Sequence, residues 1–288
     1  MTMLLICPSA RSGVPFLSQH VPLANVPLLG QSLLEYWLSA LSFQGVRKSI
    51  VLAHDQPDVV AEVVGAGQRW GMDVKVITES RELTAAEALL KYALNLDPIP
   101  RPDAIAVLDH FPGAPGRPLF TSYQNLFQAV RAWLPSALTA DRVGFSEAQV
   151  GVWLGCHSQV SPLARLIAPC WIGQHVFIGA GATVGPGAIV EDGCFIEPGA
   201  ELVESWVGSD TFVGQFAKID GSLAWGNLLI NWQTNSKTEV ADPFLLCALR
   251  RFGHGRSPNW LKKLSELYAR NKGEVGLLWK HLLLHKEG

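Results

Sequence analysis

The side chains of this sequence that could do chemistry fall into two groups. His157 and His175 lie in a Gly-rich stretch, and an imidazole that ionises near neutral pH suits general-base work. A lone surface histidine in such a stretch is more often incidental. The second group lies earlier in the chain. Arg11 sits in Pro8-Ser9-Ala10-Arg11-Ser12-Gly13-Val14, and Asp109 and His110 follow an apolar run over residues 104–108. An aspartate there either meets a ligand or caps the end of a strand. The five cysteines (Cys7, Cys156, Cys170, Cys194, Cys247) are odd in number and form no CxxC pair. That pattern argues against both a disulfide framework and a zinc site.

The elements that must position these residues begin with a repeat. From Val160, steps of six reach Leu166, Ile172, Ile178, Val184, Val190, Ile196 and Leu202, all aliphatic. After a step of five the register resumes at Val207, Val213 and Ile219. Gly173, Gly179, Gly185, Gly208 and Gly214 each follow an aliphatic position, as tight corners require. A six-residue period rich in Gly and Pro fits no helix. It predicts a left-handed parallel β-helix over residues 160–224, with three hexapeptides to a triangular coil and the repeated aliphatic side chains stacked inside. On such a prism His175 or His157 could serve as the base of an acyl transfer, with acyl-CoA bound between neighbouring prisms.

Ahead of the repeat, strand and helix patterns alternate. Strands are expected at 4–6, 49–53, 73–77 and 104–108, and helices at 32–43, 57–65, 84–94 and 125–134. This order predicts a parallel sheet covered by helices. The Pro- and Gly-rich residues 112–118 form a loop at the carboxyl end of a strand, the edge at which ligands bind to such sheets.

Pro22-Leu23-Ala24-Asn25-Val26-Pro27-Leu28-Leu29-Gly30-Gln31-Ser32-Leu33-Leu34-Glu35-Tyr36 resembles the PKPLLPVAGKPLLEY segment of the sugar-1-phosphate nucleotidyltransferases. Gly65-Ala66-Gly67-Gln68-Arg69-Trp70-Gly71-Met72-Asp73-Val74 is similar to their GDGSRWGV turn, and Leu83-Thr84-Ala85-Ala86-Glu87-Ala88-Leu89-Leu90 to their GTAGAL segment. A nucleotidyltransferase domain followed by a hexapeptide helix is also an order found in that family. The resemblance implies a shortened nucleotidyltransferase-like α/β domain. Its nucleotide-binding residues would be Pro8, Ser9, Ala10, Thr84 and Ala85, its catalytic residues Arg11 and Asp109, and its cofactor, if the chain is active, Mg²⁺ held by Asp109 together with His110 after a local shift.

Departures from the family pattern bear on activity. Where the family has a GGxGTRL loop, the first two glycines are Pro8 and Ser9, and the catalytic arginine is Gly13. Proline removes a donor from a loop whose task is to offer N–H groups to phosphate. The family's PKP lysine is Leu23, the metal-binding aspartate is Phe111, and the base-contacting glycine is Leu83. Only about 45 residues separate Phe111 from the repeat, little room for a sugar-binding half. Phosphoryl transfer depends on positioned charge and metal. These losses imply a catalytically impaired protein that acts as a binding, regulatory or scaffold subunit in sugar-nucleotide or polysaccharide metabolism. An active nucleotidyltransferase with a site rebuilt around Arg11 and Asp109 is the first alternative, and the acyltransferase is the second.

The chain of 288 residues, 48% hydrophobic and 17% charged, has room for two modest domains and a tail. We place the α/β domain at 1–150, the β-helix at 151–236 and a basic helical tail at 237–288. Tail helices are expected at 244–252, 258–271 and 275–285. From Lys237 onward there are 10 Lys and Arg against 5 Asp and Glu, in a chain of net charge −2. Such a tail could dock on an acidic partner, a membrane surface or nucleic acid, or pack against its own protein. No apolar run reaches the roughly 18–20 residues that span a bilayer, and residues 3–7 read as a first strand of a cytoplasmic protein rather than a signal segment. Nucleic-acid binding is not expected, because the net basic charge is confined to the tail and no recognition motif is present. A sugar nucleotide or nucleoside triphosphate is the expected ligand, and homo-oligomers are expected to form through the β-helix.

Overall fold

A computed structural model describes residues 2–92, 104–138, 142–234 and 236–249. The N-terminal part is built on a four-stranded parallel sheet of β1 (Thr2–Ile6), β2 (Lys48–Ala53), β3 (Asp73–Thr78) and β4 (Ile105–Val107), in the order β3-β2-β1-β4. All five residues of β1 are buried, as expected of a central strand covered on both faces. Helices Pro15–His20, Leu33–Phe43, Pro57–Val64, Ala85–Tyr92 and Tyr123–Trp133 surround the sheet. The short Pro15–His20 helix was not foreseen; Pro15 at its first turn supplies the fixed φ that starts it. Helix Leu33–Phe43 begins at a capping box, in which Ser32 Oγ accepts from Glu35 N at 3.2 Å and Glu35 Oε2 accepts from Ser32 N at 2.8 Å.

The repeat forms the expected β-helix. Cys170 pairs with Ala188 and Phe177 with Phe195 in parallel register, an offset of 18 and so of three hexapeptides. Past the short step the offset becomes 17, as in Trp206 with Leu223 and Glu201 with Lys218. Ile172, Ile178, Val184, Val190, Ile196, Leu202, Val207 and Val213 are all fully buried inside the prism. Gly173 and Gly214 are needed for space: a Cβ would lie 2.4 Å from Asp192 Oδ1 at the first and 1.9 Å from the Phe244 carbonyl oxygen at the second. The inward register starts one step earlier than expected, because Leu154 pairs with Ile172.

The three outer faces of the prism differ. Trp153, Trp171, Ile189, Trp206 and Leu223 stack in register on one face and join the hydrophobic core of the α/β part. A second face carries the ladder Phe177, Phe195, Phe212 and Cys247. The third bears Arg165, Thr183, Glu201 and Lys218, with a 3.0 Å Lys218–Glu201 ion pair. Antiparallel strands finish the structure: Phe145–Gln149 pairs with Val152–Gly155 at the start, and Ser222–Trp225, Leu228–Asn231 and Ser236–Glu239 follow one another at the end.

One expectation is corrected. Where a helix was expected over 244–252, the described residues make a turn and then strand Leu246–Ala248, paired antiparallel with Thr211–Val213. The open edge of a prism sheet offers Leu246 and Cys247 backbone partners and a core to enter, which outweighs local helix preference. The tail helices expected at 258–271 and 275–285 lie outside the described residues.

Candidate functional site

The carboxyl edge of the α/β sheet gathers four segments: residues 7–11 after β1, His54 after β2, Glu79 to Glu82 after β3, and Asp109 with His110 after β4. Ser9 and Arg11 do converge there, but on Glu82. Glu82 Oε2 accepts from Ser9 N at 3.0 Å, Ser9 Oγ at 2.6 Å and Arg11 Nη1 at 2.7 Å, while Oε1 accepts from Arg11 Nη2 at 2.6 Å. Arg11 Nη1 also reaches Ser9 Oγ at 3.0 Å, which closes the network. Burial alone would raise the Glu82 carboxyl, yet the Arg11 guanidinium and the Ser9 donors hold it down at about 2. Asp109 adds its charge to the field at Arg11. Pro8 and Ala10 lie in the same loop, and Pro8 offers it no N–H.

Thr84 and Ala85 open helix Ala85–Tyr92, but the donors of Thr84 are also engaged. Glu87 Oε2 accepts from Thr84 N at 2.9 Å and Thr84 Oγ1 at 3.0 Å, and Arg81 holds the same carboxylate in turn. That is a capping box closing the helix start that could otherwise receive phosphate.

Asp109 Oδ1 contacts His110 Nδ1 at 2.5 Å, and Trp37 Nε1 donates to the His110 carbonyl at 2.8 Å. Phe111, at the position of the family's metal aspartate, is 2% exposed and stacks on Trp133 at 4.7 Å. Among the described residues no group of three or more His, Cys, Asp or Glu side chains could hold a metal ion. This donor set does not fit a resident Mg²⁺.

Gly13 decides the fate of the family's catalytic arginine. A Cβ there would lie 2.1 Å from the Thr121 carbonyl oxygen and 2.8 Å from that of Phe120. Residues 112–120 fold back, with Leu119 N donating to the Asp109 carbonyl at 2.8 Å, and Leu119 and Phe120 enter the core. The space for a side chain at position 13 is therefore filled by backbone. Gly13→Arg, which restores the family's residue type, is expected to destabilise the fold by about 1–3 kcal/mol through overpacking and to produce no pyrophosphate release. Denaturant titration and a phosphate-coupled assay check both parts.

His157 and His175 occupy equivalent corners of successive coils, both with positive φ, and their rings stack at 5.0 Å. Neither makes a side-chain hydrogen bond among the described residues, so the geometry builds no base and orienting partner around them. A cavity of about 420 Å³ is lined by Gln128, Arg131, Leu134, Pro135, Trp153 and Pro169, away from every candidate residue.

Two features escaped the sequence reading. Glu82 was one, and its signal was an acidic residue adjoining the segment similar to GTAGAL. The junction of prism and α/β part was the other. Glu191, fully buried in the prism, accepts from Leu29 N at 2.6 Å, Gly30 N at 2.7 Å and Trp206 Nε1 at 3.1 Å. Arg142 donates to Leu29 O and to Tyr36 Oη, and lies over the rings of Phe145 and Trp171. The signal was present as Trp153, Trp171 and Trp206, spaced by 18 and then about two coils, each just before an inward aliphatic residue.

The chain joins a parallel α/β sheet, with loops gathered at its carboxyl edge, to a β-helix. Residues 16–113 match the nucleotidyl transferase family, and residues 169–203 match the bacterial transferase hexapeptide (six repeats) family. The chain thus combines a segment similar to nucleotidyl transferases with a C-terminal hexapeptide-repeat region. No curated protein matches it. Among the described residues no helix is long and apolar enough to cross a membrane.

Proposed function

We propose that this protein does not carry out nucleotidyl transfer and acts as a binding, regulatory or scaffold subunit in sugar-nucleotide or polysaccharide metabolism. The observation that carries the reading is Gly13 pressed against the Thr121 carbonyl oxygen. The catalytic arginine's place has been built over, not merely mutated. Phe111 in the core and Glu82 in the phosphate-type loop support it, since both give positions of charge chemistry to packing or internal pairing. In this reading the protein works in the cytoplasm as a homo-oligomer assembled through the β-helix, with its basic tail free to meet an acidic partner.

The test is turnover with the full chain, Mg²⁺, nucleoside triphosphates and sugar 1-phosphates, beside a thermal-shift screen with sugar nucleotides. The expected result is no pyrophosphate above background, and a rise in melting temperature with at least one sugar nucleotide. Sustained pyrophosphate release, lost on Arg11→Ala, would sink the reading and restore the rebuilt-site enzyme.

A further inference from the structure

The eight-stranded sheet that runs along one face of the prism ends in two antiparallel edge strands, Phe145–Gln149 and Ser236–Glu239. The first is guarded by a register shift between Glu147 and Gln149, the kind of irregularity that keeps open edges from pairing. Strand Ser236–Glu239 has no such guard. It pairs with Leu228–Asn231 without a shift, and all of its residues are exposed. Val240 N donates to the Asn227 carbonyl at 2.8 Å, so Asn227 and Val240 form a hydrogen-bonded pair. Antiparallel pairs alternate between bonded and non-bonded, which places Lys237 and Glu239 in non-bonded pairs with Ile230 and Leu228. The N–H and C=O groups of Lys237 and Glu239 therefore face the open edge.

We propose that this edge is where two copies of the chain pair, antiparallel about a two-fold axis at Thr238. The proposal rests on the homo-oligomer reading above and deepens it by naming the contact. In that register Lys237 lies opposite the partner's Glu239, and Glu239 lies opposite the partner's Lys237. Both are residues whose main-chain groups face outward, so each opposed pair closes through main-chain hydrogen bonds. Their side chains leave the same face of the strand, are 57% and 72% exposed, and lie 3.9 Å apart within one chain. Directly opposed unlike charges add to such pairing, and like charges weaken it. An axis at Lys237 would set lysine against lysine, and an axis at Glu239 would set glutamate against glutamate. Charges on an edge strand ordinarily discourage pairing. Here their order selects one register. The contact is small, so association is expected to be weak and concentration-dependent.

Sedimentation velocity of the full chain over a concentration series tests the contact. The wild-type protein is expected to form dimers as concentration rises. Lys237→Glu and Glu239→Lys should each associate at least about tenfold more weakly, because each sets like charges opposite one another on both sides of the axis. An equimolar mixture of the two variants should recover dimers, since every opposed pair is again unlike. A folding defect would not be repaired by mixing. Lys237→Pro, at a position whose N–H faces solvent, should keep the hairpin and lose the dimer. Association equal to wild type in these variants, or no recovery on mixing, overturns the contact and leaves the oligomer reading to another surface. A wild-type protein that stays monomeric at every concentration overturns both. Pyrophosphate release would remove the impaired-enzyme reading and leave the contact untouched.

Discussion

Glu191→Ala should cost about 3–5 kcal/mol of unfolding free energy at pH 5, because it orphans two buried donors and one half-buried one, each worth roughly 1–3 kcal/mol when unsatisfied. Those donors are Leu29 N, Gly30 N and Trp206 Nε1. The first two belong to a two-residue hairpin turn between Pro27–Leu28 and Gln31–Ser32, with φ of 56° at Leu29 and 75° at Gly30. Positive φ at both central residues is the geometry of a tight hairpin, but leucine adopts it at a cost. Leu29 is also fully buried. The turn is held from outside: the prism's Glu191 takes both N–H groups, and Arg142 takes the Leu29 carbonyl. Urea titration reads the loss, and amide exchange at Leu29 and Gly30 should accelerate with it.

The same residue should give stability a pH dependence. Burial, with the Asp192 charge beside it, pushes the Glu191 carboxyl up to about 7 against the pull of its N–H donors and Arg142. An unfolded glutamate ionises near 4.3. Between these values the unfolded chain has lost the proton that the folded chain retains, so rising pH favours unfolding. The contribution is fully present below about 4.3 and is lost by about pH 7, at roughly 1.4 kcal/mol per unit. Glu191→Gln should flatten that slope; an identical slope in wild type and variant would show that Glu191 is not its source.

Trp171→Ala should be comparably severe, at about 3–5 kcal/mol for truncating a large buried side chain. Trp171 is fully buried, stacks on Phe145 at 4.7 Å, and lies beneath the Arg142 guanidinium at 4.6 Å. It faces outward from the prism and belongs to the core of the α/β part. Its loss should loosen the contact between the two parts, read as faster proteolysis of residues 2–138 under native conditions. Trp171→Phe should be milder, since the indole N–H has no partner to lose among the described residues. Lys218→Ala on the solvated face is the control, expected to stay within about 0.5 kcal/mol. Equal effects at Lys218 and Trp171 would refute the difference between the faces.

Sequence alone determined the interior of the prism, because a six-residue period leaves one physical solution for side chains that must stack on copies of themselves. Leu166 to Val213 could be assigned inward from spacing, and the five-residue step after Leu202 appears in the structure as the change in offset from 18 to 17. The main strands and helices of the α/β part were legible to within a few residues, since their apolar periodicity is local, whereas the Pro15–His20 helix and the Pro27–Leu28/Gln31–Ser32 hairpin were not. The resemblance offered departures from the family's motifs too, position by position, as expectations.

Tertiary structure decided what each loss means. Nothing near Gly13 in the chain announces Thr121, and nothing near Arg11 announces Glu82; both contacts form between segments more than 70 residues apart. Strand Leu246–Ala248 was misread as helix for the same reason, because its partner lies at Thr211–Val213. The outward tryptophans were visible as letters, but their role required knowing that a second core would rest on that face. Periodicity encodes what repeats along the chain. Pairings between distant segments follow no period, and only the folded chain shows that Glu82 occupies the loop and that Glu191 secures the turn.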